Sequence, residues 1–136
     1  MLVVPQGLAY AAGGSDITEG EQTLAHVKAF LDARADVTLL RIEVHSDKSG
    51  RADERQKLTE KRALAVARRL VEKGVDCKRI VAVGFGGEKP VADESTPEGR
   101  AQNRRTSFAV AMLRGRAIGG MPTDGGGNPA GDPCGR

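Results

Sequence analysis

Residues 45–70, HSDKSGRADERQKLTEKRALAVARRL, decide the fold. The stretch leaves a strand at His45, crosses a short polar loop and enters a basic amphipathic helix. Ala63, Val66, Ala67, Leu70 and Val71 recur at helical spacing and predict one apolar face over about Asp53 to Lys73. Gly74 stands where a helix stops on a left-handed residue. Upstream, 37–45 (VTLLRIEVH) alternates, with Leu40, Ile42 and Val44 on one face and Arg41, Glu43 and His45 on the other. That pattern predicts a half-buried strand.

Working outward, residues 2–12 read as a first strand, weakened by Pro5 and Gly7. Thr18 followed by Glu21 has the spacing of a capping box and opens a helix to about Ala33, with Leu24, Val27 and Leu31 as its buried stripe. Residues 79–85 (RIVAVGF) predict a third strand. Thr96-Pro97-Glu98 has the cap, first-turn proline and early acid of a short helix. A last strand, RTSFAVAML, follows near Arg104, with Phe108, Val110 and Met112 on one face. From Gly115 the chain is rich in Gly and Pro and predicts no regular structure. The division is a domain over 1–114 and a tail over 115–136. Strands alternating with helices place the chain in the α/β class, as a layer of helices on a sheet.

The 136 residues suit one domain, and with 3% aromatics and no Trp the core must be built from Val, Leu, Ile and Ala. No run approaches the about 20 apolar residues of a membrane span. Met1 is followed by LVV and Pro5 with no signal-peptide pattern, which fits a domain cut from a longer protein. The net charge of +3 is interleaved with acids and fits a solvated helix face. Cys77 and Cys134 match no zinc spacing; they are either two free thiols or a disulfide tying the tail to the domain.

Catalysis finds little support. No G-x-S-x-G, P-loop or G-x-G-x-x-G occurs, and neither His26 nor His45 has a nucleophile at a recognisable spacing. Glu43, His45 and Asp47 are spaced by two and would project from one strand face as a ligand set, but Asp47 falls beyond the strand, so no metal is expected. Lys57, Lys61, Arg62, Arg68 and Arg69, with Arg100, Arg104 and Arg105, are basic enough for phosphates. Without aromatic platforms or a DNA-binding motif they do not make a nucleic-acid site. Asp47 and Arg62 remain. One accepts from an ammonium and the other offers a bidentate fork to a carboxylate, which suits a zwitterion such as an amino acid. As a plain surface ion pair they would contribute little.

Two blocks carry a family resemblance. The pattern TD-x2-G-x4-N-x2-LS-x2-RA-x2-V-x3-L stands here as Ser46-Asp47, Gly50, Arg55, Leu58-Thr59, Arg62-Ala63, Val66 and Leu70. Residues 84–105, GFGGEKPVADESTPEGRAQNRR, follow in the right order. From about Tyr10 to Met112 the chain resembles the OmpA-like peptidoglycan-binding domain of OmpA-type porins, the peptidoglycan-associated lipoprotein and flagellar motor protein B. The resemblance implies an α/β sandwich of the βαβαβ type, a mixed sheet with helices packed on one face. It also implies a non-catalytic, cofactor-free, periplasmic domain that anchors an outer-membrane or envelope protein to peptidoglycan.

By the same resemblance, Asp47 and Arg62 would hold the ammonium and carboxylate of meso-diaminopimelate in the peptide stem. Ser46, Leu58, Thr59, Asn103 and Arg104 would support them. Several positions depart from the pattern: Arg55 replaces the usual Asn, Ala11 the acid after the first-strand aromatic, Ser46 the Thr, and Thr106-Ser107 the common Val-Glu. The alternative from another class is an assembly module that keeps the fold without binding wall. A homodimer or partner contact through the basic helix face would mark it.

Overall fold

The structure, a computed structural model, describes residues 8–117 and 127–135. Its elements are β1 (Ala9–Tyr10), β2 (Ile17–Glu19), α1 (Glu21–Ala33), β3 (Val37–His45), α2 (Ala52–Glu72), β4 (Ile80–Gly86), α3 (Pro97–Asn103), β5 (Arg105–Leu113), β6 (Arg116–Ala117) and β7 (Asn128–Pro129), with a 3-10 turn over Cys77–Arg79 before β4. The main sheet has the order β6-β5-β3-β4-β7, and β1 and β2 form a separate hairpin. β3 is central, parallel to β4 and antiparallel to β5. The mixed α/β sheet is the architecture the resemblance implied.

The apolar stripes explain the packing. Leu24, Val27 and Leu31 of α1 and Ala63, Val66, Ala67 and Leu70 of α2 meet Leu40, Ile42 and Val44 of β3, all within the buried core. α2 approaches β4 closely enough that a Cβ on Gly84 would lie 2.5 Å from the Glu60 backbone nitrogen. Glycine at that position is therefore a packing requirement. The helix starts without a side-chain cap but carries Asp53 and Glu54 in its first turn, where the helix dipole favours acids. It ends at Lys73, with Gly74 at φ 106°. Arg79 donates to the carbonyls of Leu31, Arg34 and Val37 at 2.9 Å each, which ties the start of β4 to the turn between α1 and β3.

Several expectations are corrected. Thr18 does not cap α1: it lies inside β2, which pairs back on β1, and Gly20 holds the cap position at φ 130°. A Cβ on Gly20 would meet Leu8 Cδ2 at 2.2 Å, so no ordinary cap residue fits there. Of the first strand expected over 2–12, residues 2–7 lie outside the described residues; the described part forms the hairpin and stays out of the main sheet. β3 is not half-buried. Arg41 and His45 on its polar face are 3% and 5% exposed, because Arg41 pairs with Glu43 at 2.8 Å and His45 stacks on Phe85 at 4.5 Å.

The expectation of an irregular tail is also corrected at its described ends. β6 pairs with β5, and β7 adds to the outer edge of β4, with Ala130 N–H donating to the Ala82 carbonyl at 2.9 Å. Cys134 is bonded to Cys77, which holds this return of the chain against the domain. The disulfide is thus the alternative realised, and no cysteine is free. None of the helices among the described residues is long and apolar enough to cross a membrane.

Candidate functional site

The loop after β3 is built around Asp47. Oδ1 of Asp47 accepts from the Ser49 backbone N–H at 2.9 Å, an Asx turn that bends the chain toward α2. Oδ2 accepts from the Arg104 guanidinium at 2.5 Å. Burial acts to raise the Asp47 pKa, but the hydrogen bonds from Ser49 and Arg104 outweigh it and hold the carboxyl below its ordinary value. Asp47 is therefore an anion at neutral pH. A carboxylate has about four lone-pair sites, so two accepted bonds leave room for a ligand donor.

A relay through Gly86 connects the loop to α2. Thr59 is fully buried and its hydroxyl donates to the Gln56 carbonyl at 3.0 Å while accepting from Gly86 N–H at 2.9 Å. The Gly86 carbonyl in turn accepts from Ser46 N–H at 2.8 Å. Thr59 and Ser46, two of the sequence-predicted supporting residues, thus fix the strand ends from which Asp47 projects. Arg55 takes up the role of loop support. Its guanidinium donates to the carbonyls of Lys48 at 3.1 Å, Ser49 at 3.4 Å and Gly50 at 2.6 Å.

Asn103 is the anchor of the other side. Its Oδ1 accepts from Val91 N–H at 2.7 Å and Ala92 N–H at 2.9 Å. Its amide nitrogen donates to the Ala92 carbonyl and to Glu94, whose other oxygen accepts from Lys48 N–H at 2.9 Å. The 88–95 loop is thereby tied to the end of α3, next to Arg104. Thr96 caps α3 as expected, accepting from Gly99 N–H at 2.9 Å.

Arg62 reaches in from α2. Nε donates to the Gly14 carbonyl at 2.8 Å and one terminal nitrogen to the Ala11 carbonyl at 3.4 Å, with the guanidinium 4.8 Å from the centre of the Tyr10 ring. The hairpin of β1 and β2 therefore presents carbonyls where the family pattern has an acid. Burial lowers the Arg62 pKa from its ordinary value, with Tyr10 opposing. Tyr10 is itself pushed up to about 12 by burial, against the hydrogen bond it shares with Thr106 at 2.7 Å and the nearby Arg62.

Arg62, Tyr10, His45, Arg104, Arg105 and Thr106 line one cavity of about 400 Å³ between the hairpin, β3, α2 and the start of β5. Arg62 and Arg104 thus meet at one site, and Asp47 joins it through Arg104. Asp47 does not pair with Arg62, and Leu58 is half-buried on α2 without lining the cavity. Reasoning from the sequence missed Tyr10, Arg105 and Thr106 as lining residues. The second arginine of Asn-Arg-Arg, placed at the first residue of β5, was the available signal. His45 is held down to about 4 by burial, with Arg105 and Lys89 adding repulsion, so it is neutral at pH 7. Glu43, His45 and Asp47 diverge to Arg41, Phe85 and Arg104, and no metal-binding cluster occurs among the described residues.

Comparison with known proteins matches residues 9–104 to the family described as the OmpA family. The chain is 50% identical over 70 residues to outer membrane porin F of Pseudomonas aeruginosa, covering 51% of this chain and 20% of that protein. It is 39% identical over 84 residues to the peptidoglycan-binding protein ArfA of Mycobacterium bovis, covering 62% of this chain and 24% of that protein. The chain thus spans a quarter or less of these two relatives. Among solved structures, the cell wall anchor of the T6SS from Pseudomonas aeruginosa matches with a TM-score of 0.65 at 28% identity, covering 76% of this chain and 74% of that one.

Proposed function

This chain belongs to the OmpA family, and from that premise we propose that it is a non-catalytic, periplasmic domain that binds peptidoglycan and ties an outer-membrane or envelope protein to the cell wall. Within that function, Asp47 receives the ammonium and Arg62 the carboxylate of meso-diaminopimelate in the peptide stem. The names of the wall-binding and wall-anchoring relatives support the first statement. The second rests on the geometry of the cavity.

One observation carries it. The Arg62 guanidinium is half-buried, bonded to two carbonyls and stacked over Tyr10, with no carboxylate partner among the described residues. A buried cation is costly unless something pairs with it. A ligand carboxylate would supply that partner and form the charge-assisted fork that arginine favours. Asp47, fixed by Ser49 and Arg104, is the preorganised acceptor for the ammonium.

Retention on purified sacculi tests this reading. Asp47→Ala and Arg62→Ala should each abolish retention while circular dichroism and the unfolding midpoint report a folded domain. Retention equal to wild type in both variants would sink the diaminopimelate assignment. Failure of the wild-type domain itself to bind sacculi would favour the assembly-module reading.

A further inference from the structure

The cavity holds more positive charge than one zwitterion can use. Arg104 is neutralised by Asp47 at 2.5 Å. Arg62 and Arg105 are not: each is bonded to backbone carbonyls only, Arg62 to Gly14 and Ala11, Arg105 to Asn103 at 3.3 Å and Lys89 at 3.0 Å. Neither forms an ion pair among the described residues. Both are half-buried, and in both burial depresses the guanidinium pKa, with only Tyr10 or Glu43 opposing from nearby. The remaining titratable side chain of the cavity wall, His45, is neutral and adds no anion.

We propose that Arg105 is the receptor for a second carboxylate, so that the site selects peptide stems bearing at least two free carboxylates over stems in which one is amidated. The inference rests on the wall-binding reading above and extends it. An ammonium on Asp47 and a carboxylate on Arg62 account for one charge of each sign. Arg105 then remains a desolvated cation beside the bound ligand, and a second anionic group offsets it. A carboxamide cannot do so: it has the same shape but no charge, and its NH₂ would face the donors of Arg105. Thr106, next in the chain and hydrogen-bonded to Tyr10, lines the same wall and offers a neutral hydroxyl oxygen. Ala11, in place of the family's acid, leaves no side-chain carboxylate there to compete for Arg62.

The test is calorimetric titration of the intact domain with the stem tripeptide ending in meso-diaminopimelate. It is compared with mono-amides that keep the zwitterionic end intact while one other carboxylate is a carboxamide. The parent should bind at least about tenfold more tightly than one of these mono-amides, a difference of roughly 1.4 kcal/mol. In Arg105→Gln the ratio should fall to within about twofold, whereas Arg105→Lys, which keeps the charge, should retain part of it. If all the mono-amides bind wild type as tightly as the parent, the second-carboxylate assignment is overturned and wall binding stands. If none of the peptides binds, both fall. The wild-type ratio decides the matter even if a variant fails to fold.

Discussion

Replacing Thr59 by Val removes one hydroxyl and leaves the side-chain volume almost unchanged, so no cavity is created. Thr59 is fully buried, and its oxygen is the acceptor for the buried N–H of Gly86. Stranding a buried donor costs about 1–3 kcal/mol, and the bond to Gln56 inside the helix is lost as well. Unfolding in urea should therefore show a loss of about 1–3 kcal/mol in Thr59→Val with an unchanged m-value. Amide exchange at Gly86 should accelerate, and through the Gly86–Ser46 bond the Asp47 loop should loosen, weakening ligand binding. Thr59→Ser, which keeps the hydroxyl and loses one methyl, should preserve Gly86 protection and binding. A Thr59→Val protein within about 0.5 kcal/mol of wild type, with Gly86 still protected, would refute the relay.

Reducing the Cys77–Cys134 bond, or Cys134→Ser, reopens a loop of 57 residues. The chain-entropy model puts the loss at about 4 kcal/mol as an upper figure, and urea unfolding with and without a dithiol measures it; an unchanged midpoint would show that the tail contributes nothing. His45, depressed to about 4 in the folded state against an ordinary value near 6.5, sets a pH dependence with a definite sign. Between those values the unfolded chain binds the proton and the folded one does not, so stability is full above about pH 6.5 and declines toward pH 4. The loss is up to about 3 kcal/mol. His45→Gln should flatten that slope, and an equally steep slope in the variant would assign it to other groups.

How much was legible depends on how local each determinant is. The bounds of β3, the apolar face of α2, Gly74 and the Thr96-Pro97 start of α3 follow from spacing within a few residues, and the structure has them. Thr18 was misread because the capping signature is local, whereas the pairing of Ile17–Glu19 with Ala9–Tyr10 and the contact of Gly20 with Leu8 are not. Alternation in β3 separated its two faces correctly, but burial of Arg41 and His45 depends on an ion pair and on Phe85, which lies on another strand. The strands of the tail depend on β4, β5 and a disulfide whose formation the two cysteines alone left open.

At the site, the spacing and the family pattern brought Asp47, Arg62 and Arg104 into view, and Thr59, Ser46 and Asn103 have hydrogen-bonding roles that explain their presence. The partner of Asp47 was not legible. Arg104 lies 57 residues away and reaches Asp47 because β5 pairs with β3, bringing Arg105 opposite His45. The same pairing puts Arg105 and Thr106 into the cavity. Arg55 was read as a departure from the pattern; its three carbonyl contacts show that a longer side chain can close the same loop.

The most direct test of the central claim is calorimetric titration of the domain with a stem tetrapeptide carrying meso-diaminopimelate at its third position, with the same peptide carrying lysine there as control. With their α-groups in peptide bonds, the diaminopimelate side chain ends in an ammonium beside a carboxylate, and the lysine side chain in an ammonium alone. Binding of the diaminopimelate peptide and not of the lysine peptide, lost in Arg62→Ala, is the predicted result. Absence of binding of the diaminopimelate peptide by the folded domain, or equal binding of the two peptides, would contradict it.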